Sequence, residues 1–358
     1  MKIENIHILL ITLILSACTI QPASSDLPLS ITDSTGHTTK IAQIPERILI
    51  TGRANFMILD AIYLFPDANE RVVVIPKSNQ SAMTFLPLID ESIQEKTMIE
   101  MNAGPEQIAG HNPDLVILKN SMSESLGKPI ESLGIPVIYQ DLETPEAFYQ
   151  DINVLGQVFG DEDRADMIIN FYQSRMENIE NLVSDLTEEQ KPDVLILEYS
   201  NEGGEVAFNV PPASWLQTSM VEMVGGNPIW TEAGSSDGWS IVTLDQIAAW
   251  NPDQIYIIDY QGQGSQVIED IKDDPIWKEL RSVQNDQIFA FPYDFYSWDQ
   301  PDTRWILGIQ WLMTKIQPQL SSEIDILSEV ESFYSQMYRL DSDTINSDVM
   351  TLLSIDIP

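Results

Sequence analysis

The chain has 358 residues, with 55 Asp and Glu against 18 Lys and Arg, for a net charge of −37. That balance excludes nucleic acid and direct docking on an anionic lipid surface, both of which would repel it. An apolar content of 43% with 8 Trp belongs to a folded protein, and a single Cys excludes a disulfide framework or a thiolate metal site.

Residues 6–15 form an apolar run that is too short to span a bilayer, which takes about 20 residues. It reads as the hydrophobic stretch of a secretory signal covering 1–17. The residues Leu15-Ser16-Ala17-Cys18 resemble a bacterial lipobox, which implies lipidation of Cys18 and a tether over 18–28. An alternating hairpin is expected over 29–40, turning at Ser34-Thr35-Gly36. Strands are expected at 47–51, 71–75, 97–101, 114–118 and 135–139, separated by helical segments at 55–64, 105–110, 122–133 and 145–159. Such alternation predicts a parallel sheet in an N-terminal lobe spanning 29–160.

Residues 163–186 carry apolar side chains at spacings of three and four, the stripe of one long helix. Asp161 is its expected N-cap, and the negative charge of Glu162 and Asp163 suits the first turn. At 1.5 Å per residue such a helix spans roughly 36 Å, so a segment 161–190 is expected to act as a strut between two lobes.

The alternation restarts in a C-terminal lobe, 191–358. Strands are expected at 193–198, 206–209, 254–258 and 287–291, with helices at 212–224, 242–250, 303–315 and 321–340. A repeat links the halves: Glu106 to Asp114 and Asp245 to Asp253 share the form acid-Gln-Ile-Ala-x-x-Asn-Pro-Asp, each ahead of a strand. Pro113 and Pro252 stop a helix at matching points. The fold class is therefore α/β, two parallel-sheet, Rossmann-like lobes joined by one long helix with a cleft between them.

In such lobes ligands lie beyond the carboxyl ends of the strands. Candidates there are Gly52, Arg53, Asn55, Lys77, Lys119, Asn120, Tyr199, Tyr260 and the segment Tyr293 to Arg304, with Trp230 and Trp239 near the same face. Arg53 and Arg304 offer planar forks for an anionic chelate, although Arg304 could equally pair with Asp299 or Asp302. Tyr293, Phe295, Tyr296 and Trp298 offer faces for stacking, and strand alternation would leave at least two of them turned to a ligand. Trp215, Trp250, Trp277, Trp305 and Trp311 fall in helical patterns and are expected to pack internally. Three His, none at metal-ligand spacing, disfavour direct metal ligation. No G-x-S-x-G, Walker A or complete G-x-G-x-x-G motif is present, so nothing singles out a catalytic residue and no cofactor is implied.

The stretches 31–51, 105–118, 133–139, 242–258 and 333–343, with the long helix, resemble the helical-backbone substrate-binding lipoproteins of ABC importers, which take up ferric siderophores, haem, cobalamin and other metal chelates. The resemblance implies a non-enzymatic, monomeric, extracytoplasmic binder. It would be anchored by lipid on Cys18 and would deliver a chelate to a permease dimer and its ATPase. A ferric siderophore comes first, with cobalamin or haem as alternatives. The resemblance also implies that Glu106 and Asp245, one acid per lobe, dock onto the permease. The ligand set expected from the strand ends is Arg53, Asn55, Lys119, Tyr199, Trp239, Tyr260, Tyr293, Tyr296, Trp298 and Arg304. A lipid-anchored enzyme acting on a glycan or chelate is the reading from another class, and turnover would distinguish it. An unbroken strut implies little closure and a preformed site.

Overall fold

A computed structural model describes residues 29–77, 82–201, 206–235 and 238–356. The expected signal, the lipidation position Cys18 and the tether lie outside the described residues.

Strands β1 (Leu29–Thr32) and β2 (Thr38–Ile41) form the expected hairpin, with Gly36 at φ 82° in its turn. The Asp33 carboxylate closes that turn by accepting from the Thr35 and His37 amides at 3.0 and 3.1 Å. Its other oxygen accepts from the Tyr139 amide at 3.0 Å and fastens the hairpin to the first lobe. That lobe's sheet comprises β3 (Ile48–Ile50), β4 (Val72–Pro76), β5 (Thr97–Ile99), β6 (Leu115–Lys119) and β7 (Val137–Gln140). It is parallel throughout in the order β5-β4-β3-β6-β7, and its strands are almost entirely apolar because helices cover both faces.

The second sheet comprises β8 (Asp193–Ser200), β9 (Ala207–Val210), β10 (Asn227–Pro228), β11 (Ser240–Val242), β12 (Gln254–Ile258) and β13 (Ile288–Ala290). Its order is β11-β9-β8-β12-β13, with β10 paired to the start of β8. This sheet is mixed: β8, β12 and β13 run parallel, but β9 runs antiparallel to both its neighbours, β8 and β11. The short connection between β8 and β9 explains the difference, since a parallel crossover takes roughly a dozen residues or more.

The long helix spans Glu162–Val183 without a break. Asp161 caps it, accepting from the Arg164 amide at 3.0 Å. Its apolar stripe, Ala165, Ile168, Tyr172, Met176 and Ile179, is buried against the helices Pro145–Phe159 of one lobe and Trp305–Ile316 of the other. The helix is more than a strut, because a continuous apolar core runs through both lobes and along it. Buried Arg164 ties three elements together, donating to the Leu64 carbonyl at 2.8 Å, the Gln336 carbonyl at 3.0 Å and the Met337 carbonyl.

The repeat has a structural cause. Asn251 caps its helix and Asn112 lies two residues past the cap of its own, both in the left-handed region at φ 45° and 49°, which Asn tolerates better than most residues. Asp114 then accepts from the Glu46 and Arg47 amides, both at 2.9 Å, at the entry to β3. Asp253 accepts from the Asp193 amide at 2.9 Å at the start of β8. Each motif thus stops a helix and aligns the neighbouring strand.

Candidate functional site

A cavity of about 280 Å³ opens between the lobes beyond the strands' carboxyl ends. One side is supplied by the turn after β3. There Gly52 at φ 88° and Ala54 at φ 52° reverse the chain, and Ala54, Phe56 and Met57 face the space. The turn is braced from within by buried Asn55, whose side-chain amide donates to the Gly52 carbonyl at 2.7 Å. Glu143, just past β7, adds the one charged group among the described lining residues.

The facing wall is aromatic. Trp215 and Trp239 meet edge to face at 5.6 Å between centroids and 90° between planes, and Trp239 meets Tyr260 at 6.4 Å and 67°. Gln217, Gln300 and Pro301 complete it. Behind this wall sits Asp299, fully buried, accepting from the Tyr260 hydroxyl at 2.9 Å and the Gln217 amide at 3.0 Å. Burial raises the Asp299 pKa, against the pull of those donors. Burial and the nearby Asp299 charge together push Tyr260 far up, so its hydroxyl stays a neutral donor. The Tyr260 hydroxyl and the Gln217 amide thus both point backwards to one acid, which leaves the Tyr260 ring surface towards the ligand space.

Of the residues expected from sequence, Trp239 and Tyr260 lie in this cleft. Arg53 is exposed and lines a neighbouring hollow with Met101, Asn102, Ser121, Met122 and Ser125; it has no ion pair among the described residues. Lys119 is buried, pairing with Glu143 at 2.8 Å and donating to the Asp141 carbonyl. Asn120 donates to Asp141 at 2.5 Å, and Lys77 pairs with Glu100 at 2.5 Å. Tyr199 lies edge-on to Phe208 at 6.0 Å in a different hollow of the C-terminal lobe. Trp230 is buried, its indole donating to the Pro211 carbonyl at 3.0 Å.

The segment from Tyr293 to Arg304 is placed differently from the expectation. Phe295, Tyr296 and Trp298 are buried, and Tyr293 is half-buried with its backbone paired to Ser354. The alternation argument fails here because the segment is a compact loop rather than a strand. Tyr296 stacks on Phe56 at 5.0 Å, and the Trp298 indole donates to Asp294 at 3.0 Å. A Cβ on Gly308 would collide with the Trp298 carbonyl, so the following helix can pack this closely only with glycine there.

Arg304 is likewise interior, with no exposed surface. Its guanidinium pairs with Asp60 of the first lobe and donates to Asp294 at 2.9 Å and to the Tyr334 hydroxyl at 3.0 Å. It also lies 4.5 Å over the Phe85 ring and 4.8 Å over Tyr296. Its partners are thus Asp60 and Asp294, and Asp302 instead accepts from its backbone amide at 2.6 Å. Asn55, Lys119, Tyr296, Trp298 and Arg304 therefore hold the site together from behind.

Sequence reasoning missed Trp215, assigned to packing, together with Phe56, Met57, Glu143 and Gln217, whereas Gln300 falls inside the candidate segment Tyr293 to Arg304. Phe56 and Met57 were within reach, because they open the helix that leaves β3's carboxyl end. Trp215 was not, because it occupies the N-cap of Leu216–Met223 and points out of a pattern that looks helical. Glu106 and Asp245 are both exposed, each in the first turn of its helix, Pro105–Ala109 and Leu244–Trp250. Among the described residues no group of three or more His, Cys, Asp and Glu is arranged to hold a metal ion.

Against known proteins, the Periplasmic binding protein family matches residues 91–294, more than half of the chain. The molybdate-binding protein MolA of Haemophilus influenzae is 22% identical over 255 residues, covering 65% of this chain and 69% of that one. The Fe(3+)-citrate-binding protein YfmC of Bacillus subtilis is 23% identical over 275 residues, covering 74% and 78%. Among solved structures, a periplasmic solute binding protein from Veillonella parvula superposes with a TM-score of 0.73 at 21% identity, over 90% of this chain and 98% of that one. MolA bound to molybdate superposes with a TM-score of 0.71 at 18% identity, over 87% and 98%. Two lobes around a long helix, a cleft between them and this match have one meaning: the chain belongs to the periplasmic binding protein family, as an extracytoplasmic, non-enzymatic substrate-binding component of an ABC importer.

Proposed function

We propose that the protein captures an organic metal chelate, a ferric siderophore first of all, and passes it to the permease. The aromatic wall of Trp215, Trp239 and Tyr260 facing Phe56 carries this reading. Flat faces with backward-tied polar groups suit a rigid organic shell around a metal, and stacking or cation–π contacts of about 0.5–2 kcal/mol each add up over several rings. A bare oxyanion would need converging cationic or amide donors, and the described lining offers two side-chain amides and no cation. Two relatives named for iron uptake and Fe(3+)-citrate binding make iron the first metal to test.

In this reading Cys18 carries the lipid that holds the monomer at the membrane, and Glu106 and Asp245 meet basic residues of the permease dimer. Their exposure and matched positions in the repeat support that role. Native mass spectrometry and absorbance spectra of the protein with ferric siderophores, cobalamin and haem test the ligand. A stoichiometric complex with a ferric siderophore is expected, and retention of cobalamin or haem alone would overturn the assignment. Reversing both charges, Glu106→Lys with Asp245→Lys, is expected to stop uptake while leaving chelate binding intact; lost binding would refute the docking role.

A further inference from the structure

We infer that the cleft sorts chelates by charge, accepting neutral or cationic complexes and rejecting anionic ones, a selectivity that rests on the chelate-capture reading above. Two cations behind the cleft are already committed. Lys119 sits behind the lining, paired to Glu143 at 2.8 Å, and Arg304 is enclosed by Asp60 and Asp294. What faces the cavity is the Glu143 carboxylate, and behind the aromatic wall lies Asp299, whose side-chain donors, Tyr260 and Gln217, are neutral.

Three physical effects act in the same direction. An anionic complex entering the cleft loses water where the one cation beside the lining acid, Lys119, is already held by Glu143 and is not free to replace it. A net charge of −37 surrounds the cleft with a negative potential that concentrates cations and excludes anions. Ring faces carry negative quadrupoles, which adds attraction for a positively charged ligand edge. Arg53 is the one basic side chain at the rim without an ion pair among the described residues, and it faces the neighbouring hollow instead.

The test uses quenching of tryptophan fluorescence in the wild-type protein, titrated with four probes at low and high salt. These are a cationic ferric trihydroxamate, a neutral ferric trihydroxamate, a trianionic ferric tricatecholate, and molybdate. Both trihydroxamates are expected to bind at least about tenfold more tightly than the tricatecholate or molybdate, with added salt weakening the cationic complex alone. Glu143→Gln is expected to lower the cationic-to-neutral affinity ratio about three- to tenfold, and the salt series reads the same property without any substitution. Tightest binding of the tricatecholate, particularly if abolished by Arg53→Ala, would overturn charge sorting while leaving chelate capture standing. Binding of molybdate alone, or of none of the four, would overturn both.

Discussion

The cleft wall and the joint beneath it use the same residue types for opposite purposes. In the wall, Trp215, Trp239 and Tyr260 keep ring surface open to the cavity, with the Tyr260 hydroxyl anchored on Asp299 behind it. In the joint, Tyr296, Trp298 and Arg304 are sealed between lobes, where Asp60 and Asp294 on two different segments converge on one guanidinium. A polar partner deep in the fold pulls an aromatic or basic side chain inward, whereas a partner placed behind a ring leaves its face outward. The joint also explains why the lobes are held so closely: Arg304, Arg164 and Tyr338 each bond across to the first lobe.

The largest effect that would break this contrast is loss of the joint. Arg304→Leu leaves Asp60 and Asp294 buried without their cation and is expected to cost about 3–5 kcal/mol, read as a shifted midpoint in denaturant unfolding. A change below about 1 kcal/mol would show that the joint contributes little. Next comes the wall. Trp239→Ala is expected to weaken chelate binding about tenfold, as removal of a half-buried ring contact commonly does, with the unfolding midpoint nearly unchanged. Equal losses of stability and binding would erase the distinction between the two regions.

Proton linkage gives a smaller signal. Burial pushes the Asp60 carboxyl up to about 6, against the pull of Arg304, and burial raises Asp151 to about 6 against the pull of the 141 and 142 amides that donate to it. A group whose folded pKa exceeds its unfolded value binds more protons when folded, so stability rises as pH falls from about 6 towards about 4. Hydrogen bonds from Ser92, Tyr63 and Lys96 overcome burial and hold Asp90 below its ordinary value, so its contribution is lost only below that window. The melting temperature is therefore expected to rise by a few degrees between pH 7 and pH 5, and to respond less in Asp60→Asn. A flat profile would remove Asp60 and Asp151 as buried, raised-pKa groups. The smallest effect is expected at Arg53. Arg53→Ala should change affinity for a neutral trihydroxamate by less than about twofold, as for a rim charge. A larger loss would move the neighbouring hollow into the site.

Much of the frame was legible from local pattern. The long helix, its Asp161 cap, the Ser34–Gly36 turn, the Pro145–Phe159 helix and the Asn-Pro-Asp stops all follow from spacing, capping and turn chemistry within a few residues. The mixed sheet of the second lobe was the partial exception, since pairing direction depends on what a short connection can reach. The site was less legible. Trp239 and Tyr260 were found by topology, but Trp298 and Arg304 look ligand-like only while their partners are unknown. Asp60 lies 244 residues from Arg304 in the chain, and nothing local to either announces the pair.

The sequence by itself determined two α/β halves, the helix between them, the repeated helix stops and an acidic surface poor in free cations, because each rests on periodicity, capping or composition. Only the tertiary structure decided which aromatic faces stay open and which cations are consumed. Those outcomes depend on burial and on partners that long-range packing brings together.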